Sequence, residues 1–131
     1  DPRGFHVITS AIEHPATLNP ALFLMKLGVE VTILPVDCSG QIDPDDVRRA
    51  ISSRTTLITL MLANNETGVL QPIKEISQIA KDHDVLFHTD AAQAVGTHFV
   101  HVSHHCRFPN EEDCYEESQD AIRRGLEVAT C

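Results

Sequence analysis

Thr55-Thr56-Leu57-Ile58-Thr59-Leu60-Met61-Leu62, followed at once by Ala63-Asn64-Asn65-Glu66-Thr67-Gly68, is the stretch that decides the fold. The first eight residues are β-branched or apolar and read as a strand. A strand with one wet face alternates apolar and polar side chains. A nearly continuous apolar run belongs to a strand covered on both faces, as parallel strands are. The asparagines and glycine that end the run are turn formers.

Outward from this strand the same grammar repeats. Phe5–Ser10, Glu30–Val36 and Val85–His88 are short and rich in β-branched or apolar residues, and each predicts a strand. Ala16–Leu27 carries apolar residues at helical spacing, with Pro20 expected in its first turn, where a missing N–H does no harm. Asp43-Pro44-Asp45-Asp46 opens a second helix with a capping carboxylate, Pro at the first position and acids at the positive end. Gln71-Pro72 opens a third over Ile73–Asp82, whose Ile73, Ile76, Ile79 and Ala80 make one apolar face. Strand and helix alternate four strands deep, which predicts an α/β fold with a parallel sheet and helices on both faces.

In such sheets ligands bind beyond the C-terminal strand ends. Three polar clusters fall there: Glu13-His14-Pro15 after the first strand, Asn64-Asn65-Glu66-Thr67-Gly68 after the third, and Thr89-Asp90-Ala91-Ala92-Gln93 after the fourth. Asp90 closes a buried strand, where an isolated carboxylate is costly unless a cation or hydrogen-bond donor meets it. A protonated pyridine nitrogen would be such a partner. His14 can lay its ring on an aromatic ring, and Asn65 and Gln93 are neutral donors suited to a phenolate oxygen. Together they form a cradle for an electron-poor aromatic cofactor, and pyridoxal phosphate fits it. Taken singly, Asp90 reads as a cap or turn former, Asn64 and Asn65 as turn residues, and His14 as a loop histidine.

Ile8-Thr9-Ser10-Ala11-Ile12-Glu13-His14-Pro15-Ala16, Leu62-Ala63-Asn64-Asn65-Glu66-Thr67-Gly68 and His88-Thr89-Asp90-Ala91-Ala92-Gln93-Ala94-Val95-Gly96 resemble, in order and spacing, the class V aminotransferase superfamily. Within it they are most similar to the cysteine desulfurase and selenocysteine lyase group, and nearer its selenocysteine-lyase-like members. The resemblance covers about residues 5–96. It implies part of the large domain of a fold-type-I enzyme, with pyridoxal 5'-phosphate as cofactor. His14 would stack on the cofactor ring and assist proton transfer; Asn65 and Gln93 would contact the phenolic oxygen; Asp90 would pair with the ring nitrogen. The implied reaction removes sulfur or selenium from cysteine or selenocysteine and leaves alanine. The implied assembly is a homodimer.

The sequence departs from the family after Gly96. Relatives continue to a Ser-x-His-Lys segment whose lysine attaches the cofactor, whereas this chain has only Lys26, Lys74 and Lys81, all before Asp90. Cys38, in the turn Asp37-Cys38-Ser39-Gly40, does not match the family's sulfur-accepting cysteine. The phosphate-binding segments are also unmatched, so weak cofactor binding and no activity are expected of the polypeptide alone. The alternative is a non-catalytic module that pairs with full-length subunits. Because Asp1-Pro2-Arg3-Gly4 lacks an initiator Met, a fragment or incomplete gene model is expected.

From Thr97 the pattern changes, and a boundary is expected near Gly96. The last 35 residues hold four of the eight histidines, three of the four cysteines and seven acids. Ser118–Val128 is the one candidate helix there. His98, His101, His104, His105, Cys106 and Cys114 are ligand types, yet they lack the paired Cys-x-x-Cys half of a usual zinc site, so no metal is expected.

Composition narrows the function classes. A formal charge of −9 argues against nucleic acid and anionic membrane as partners. No apolar run reaches roughly 18 residues, so no membrane span is expected. Four cysteines, Cys38, Cys106, Cys114 and Cys131, without a secretory leader predict a reducing, cytoplasmic setting.

Overall fold

The structure is a computed structural model in which residues 4–64, 66–92 and 129–130 are described. The elements run β1 (His6–Ser10), α1 (Pro15–Lys26), β2 (Glu30–Leu34), α2 (Pro44–Ala50), β3 (Thr55–Thr59), α3 (Ile73–Asp82), β4 (Leu86–His88) and β5 (Ala129–Thr130). They form one sheet in the order β2-β1-β3-β4-β5. The first four strands are mutually parallel, and β5 pairs antiparallel with β4. The predicted parallel α/β core is therefore present. Nothing in the sequence pattern after Thr97 pointed to β5.

From β1 the chain moves to one side to make β2, then returns across β1 to make β3 and β4 on the other side. With right-handed crossovers this reversal puts α1 on one face and both α2 and α3 on the opposite face. The Arg48 guanidinium of α2 meets Glu75 of α3 at 3.3 Å, which fits their shared face. The reversal also makes the C-terminal ends of β1 and β3 a switch point, the usual place for a ligand in such sheets.

The core lies between the sheet and the α2–α3 layer. Ile8, Ile58, Leu60 and Phe87 from the strand segments pack with Val47 of α2 and Ile76, Ile79 and Ala80 of α3. The apolar face read from the α3 sequence is the face that is buried, with Ile73 partly covered at its edge. Asp43 caps α2 as expected: its Oδ1 accepts the Asp45 amide at 2.8 Å. Gln71 does not cap α3. It is buried and ties the Gly40 loop instead, donating to the Gly40 carbonyl at 2.8 Å and accepting the Ile42 amide at 2.8 Å.

Helix α1 departs from expectation. It starts at Pro15, not Ala16, and Pro20 sits inside the helix and not in its first turn. The helix starts there because His14 provides a side-chain cap and Pro15 takes the first helical position, where its fixed φ suits the helix. Among its residues only Ala21 is buried, while Leu22, Phe23 and Met25 stay exposed. No helix among the described residues is long and apolar enough to cross a membrane. The boundary near Gly96, the candidate helix Ser118–Val128 and the His98–Cys114 ligand cluster lie outside the described residues.

Candidate functional site

Because β1, β3 and β4 are parallel, their C-terminal ends share one edge of the sheet. Hydrogen bonds join the three loops that leave it. Strand β3 ends as a ladder at Thr59, but its backbone runs on, and alternate amides point to opposite sides. Those of Leu60 and Leu62 bond the carbonyls of His88 at 3.1 Å and Asp90 at 2.9 Å, on the β4 side. The Met61 amide points the other way and donates to Oε1 of Glu13 at 3.0 Å. Asn64 adds a second tie to the β1 loop, donating from Nδ2 to the Ile12 carbonyl at 3.0 Å. The three polar clusters of the sequence are thus one connected end of the sheet, at the switch point.

His14 stands at the N-cap of α1, with φ −61° and ψ 147°. Its Nδ1 accepts the Ala16 amide at 3.1 Å, so in this arrangement the ring proton belongs on Nε2. The ring is exposed and free to present a face. Asp90 is 8% exposed, and its Oδ1 accepts the Ala92 amide at 3.0 Å, which shapes the turn after β4. Before it, His88 is anchored by a 2.8 Å bond between Nδ1 and Oγ1 of Thr59. Asn65 and Gln93 lie outside the described residues. Their neighbour Asn64 has the turn role its sequence suggested: Oδ1 accepts the amides of Glu66 at 2.8 Å and Thr67 at 2.9 Å.

The residue to which sequence reasoning assigned no role is Glu13. Its side chain is 6% exposed, Oε1 also accepts the Ser10 hydroxyl at 2.6 Å, and Oε2 is buried without a partner among the described residues. Burial pushes its carboxyl above the usual carboxylate range. The Ser10 and Met61 hydrogen bonds oppose that push, and the nearby Asp90 charge adds to it. A polar residue three positions before a glutamate, Ser10-Ala11-Ile12-Glu13, was the available signal. It resembles a capping box but serves a loop here.

The donor set fits the ring of a pyridoxal cofactor on the side that faces these loops. Asp90 offers a buried carboxylate at a strand end, as a cationic ring nitrogen requires. Thr89 Oγ1 beside it is a further buried polar atom with no partner among the described residues. Two other readings of the sequence concern Cys38 and metal ligands. Cys38 is exposed and free in a turn closed by Asp37, whose Oδ1 accepts the amides of Ser39 and Gln41 at 2.8 and 3.0 Å. Among the described residues no three His, Cys, Asp or Glu side chains gather as metal ligands.

Relatives agree with this architecture. Cysteine desulfurase IscS of Dictyoglomus turgidum is 55% identical over 94 residues, which are 72% of this chain and 24% of that protein. Cysteine desulfurase IscS of Methanosarcina thermophila is 54% identical over 94 residues, 72% of this chain and 23% of that protein. The solved structure of SspA in complex with cysteine superposes with a TM-score of 0.69 at 47% identity, covering 70% of this chain and 26% of that one. The chain thus spans about a quarter of the length of the relatives it matches. Residues 2–105 match the family described as Aminotransferase class-V, and the chain belongs to that family.

Proposed function

We propose that these residues form the ring-holding side of a pyridoxal-phosphate site whose reaction is the desulfuration of cysteine. The observation that carries the reading is the buried Asp90 carboxylate at a strand end, on the edge where the β1, β3 and β4 loops are tied together. When bound, the cofactor supplies an electron sink for bonds at the substrate's α-carbon. Asp90 holds a proton on the ring nitrogen, because a carboxylate this buried is stabilised by a cation in contact with it. His14 covers one ring face. Since Nδ1 is committed to the cap of α1, Nε2 is the atom at which His14 holds or passes a proton. Asn65 and Gln93 are assigned to the phenolic oxygen, through the resemblance of their motifs.

Cysteine is the favoured substrate because the two IscS relatives described above are cysteine desulfurases, and the similar SspA was solved in complex with cysteine. The 131 residues contain no Ser-x-His-Lys segment, and Lys26, Lys74 and Lys81 precede Asp90. The polypeptide alone therefore releases no sulfide from cysteine. A reducing, cytoplasmic setting belongs to the same reading, since Cys38 is an exposed free thiol.

Pyridoxine phosphate, which keeps the ring and phosphate but lacks the reactive aldehyde, tests the reading without interference from surface lysines. On titration into the labelled chain, the Ala92 amide and the His14 ring resonances are expected to shift together, and Asp90→Asn to abolish the response. Shifts confined to other loops, or an unchanged response in Asp90→Asn, would overturn it.

A further inference from the structure

We propose that Glu13 is a positioning residue for this site: its side chain fastens the turn after β1 to the end of β3 and so fixes where His14 stands relative to Asp90. The proposal rests on the reading of His14 and Asp90 as cofactor residues.

The geometry leaves the Met61 amide with no backbone partner. The β1–β3 ladder stops at Ile8 and Ile58, and β1 turns away after Ser10. Leu60 and Leu62 donate toward β4, so the amide between them points to the space that β1 has vacated. A buried amide without an acceptor is costly, on the order of 1–3 kcal/mol. The Glu13 side chain reaches back into that space and supplies the missing acceptor across 48 positions of sequence. Ser10, the last residue of β1, donates to the same oxygen, which fixes the rotamer from the strand side.

The consequence falls on both flanking residues. His14 follows Glu13 directly and begins α1, so a fastened Glu13 side chain sets the place from which the helix starts. Leu62, next to Met61, donates to the Asp90 carbonyl. The path from His14 to Asp90 is therefore short: one peptide link, the Glu13–Met61 bond, one peptide link, and the Leu62–Asp90 bond.

Burial and the nearby Asp90 charge favour the neutral form of the Glu13 carboxyl, and the Ser10 and Met61 hydrogen bonds oppose them. One oxygen accepts two hydrogen bonds as a carbonyl does, and the other is buried without a partner among the described residues. A side-chain amide keeps a carbonyl in place of Oε1, so it can accept the same two hydrogen bonds.

The test uses the 131-residue chain, labelled for NMR, without any cofactor. Glu13→Gln is expected to keep the slow hydrogen exchange of the Met61 amide and the wild-type His14 ring resonances. Glu13→Ala, and Glu13→Asp, which is a methylene too short, are expected to speed Met61 exchange by about tenfold or more. They should also shift the His14 ring and Ala16 amide signals, with Ile8 and Ile58 exchange unchanged. Three results would overturn the proposal: Gln behaving like Ala, Ala leaving Met61 and His14 unaltered, or protection falling equally through Ile8 and Ile58. If Glu13→Ala does not fold, Glu13→Gln against Glu13→Asp decides the matter. Pyridoxine phosphate plays no part in these readouts, so failure of the cofactor reading is scored separately.

Discussion

His6 and Thr55 are joined by a 2.8 Å bond between Nδ1 and Oγ1, at the end of the sheet opposite the candidate site. The other ring nitrogen, Nε2, meets Oγ1 of Thr32 at 2.8 Å, so one buried imidazole ties three adjacent strands. Burial holds the His6 ring below its ordinary value of 6.5, with Arg54 adding to the effect and Glu30 opposing it. The native state thus keeps His6 neutral at pH values where the unfolded chain binds a proton. Stability is full above 6.5 and declines as pH falls from there toward the lowered native value. Urea midpoints measured between about pH 5 and 8 should show this loss on the acid side, and His6→Asn should flatten it.

Glu13 gives a slope of the opposite sign. Its native carboxyl is raised above 4.5, so the folded chain retains a proton that the unfolded chain has released. This contribution to stability is present below 4.5 and is lost as pH rises through the native value. Subtracting the Glu13→Gln profile from the wild-type profile isolates the term, and a difference that grows with pH is expected.

Asn64→Ala removes both the tie to the Ile12 carbonyl and the acceptor for the Glu66 and Thr67 amides. Loss of these part-buried bonds should lower stability by roughly 1–3 kcal/mol. Denaturant unfolding checks the size, and faster exchange of the Glu66 and Thr67 amides checks the cause.

Ile58→Ala opens a cavity at a fully buried position of β3, between the sheet and the α2–α3 layer. A loss of roughly 2–5 kcal/mol is expected. Ile33→Ala, on edge strand β2 and exposed, should lose far less in the same unfolding experiment.

Pro20→Ala should stabilise the chain. Pro20 is exposed inside α1 and cannot donate to the Ala16 carbonyl one turn back. Alanine restores that bond; the interior proline penalty is about 3 kcal/mol, partly offset by about 0.4–1 kcal/mol of added unfolded-chain freedom. A higher thermal midpoint, with greater helical circular dichroism, is the expected result.

Much of the fold was legible because it depends on short-range pattern. The apolar face of α3, the Asp43 cap and the buried run of β3 each follow from the period or chemistry of neighbouring residues. The start of α1 was placed one residue late because a helix start depends on which residue caps it. That role fell to His14, whose side chain also carries the cofactor assignment. The turn role of Asn64 was legible from turn chemistry.

What the sequence by itself determined is the alternation of strands and helices, the three motifs and their family. What only the tertiary structure decided is which groups meet across long intervals: Glu13 with Met61, Asn64 with Ile12, His6 with Thr55 and Thr32. Such pairs arise because parallel strands bring distant segments side by side. Local periodicity places a residue on a face, but strand order and register choose its partner. The parallel β-sheet predicted from Thr55–Leu62 thus became a specific edge, with Glu13 and not a backbone carbonyl completing the bonding of β3.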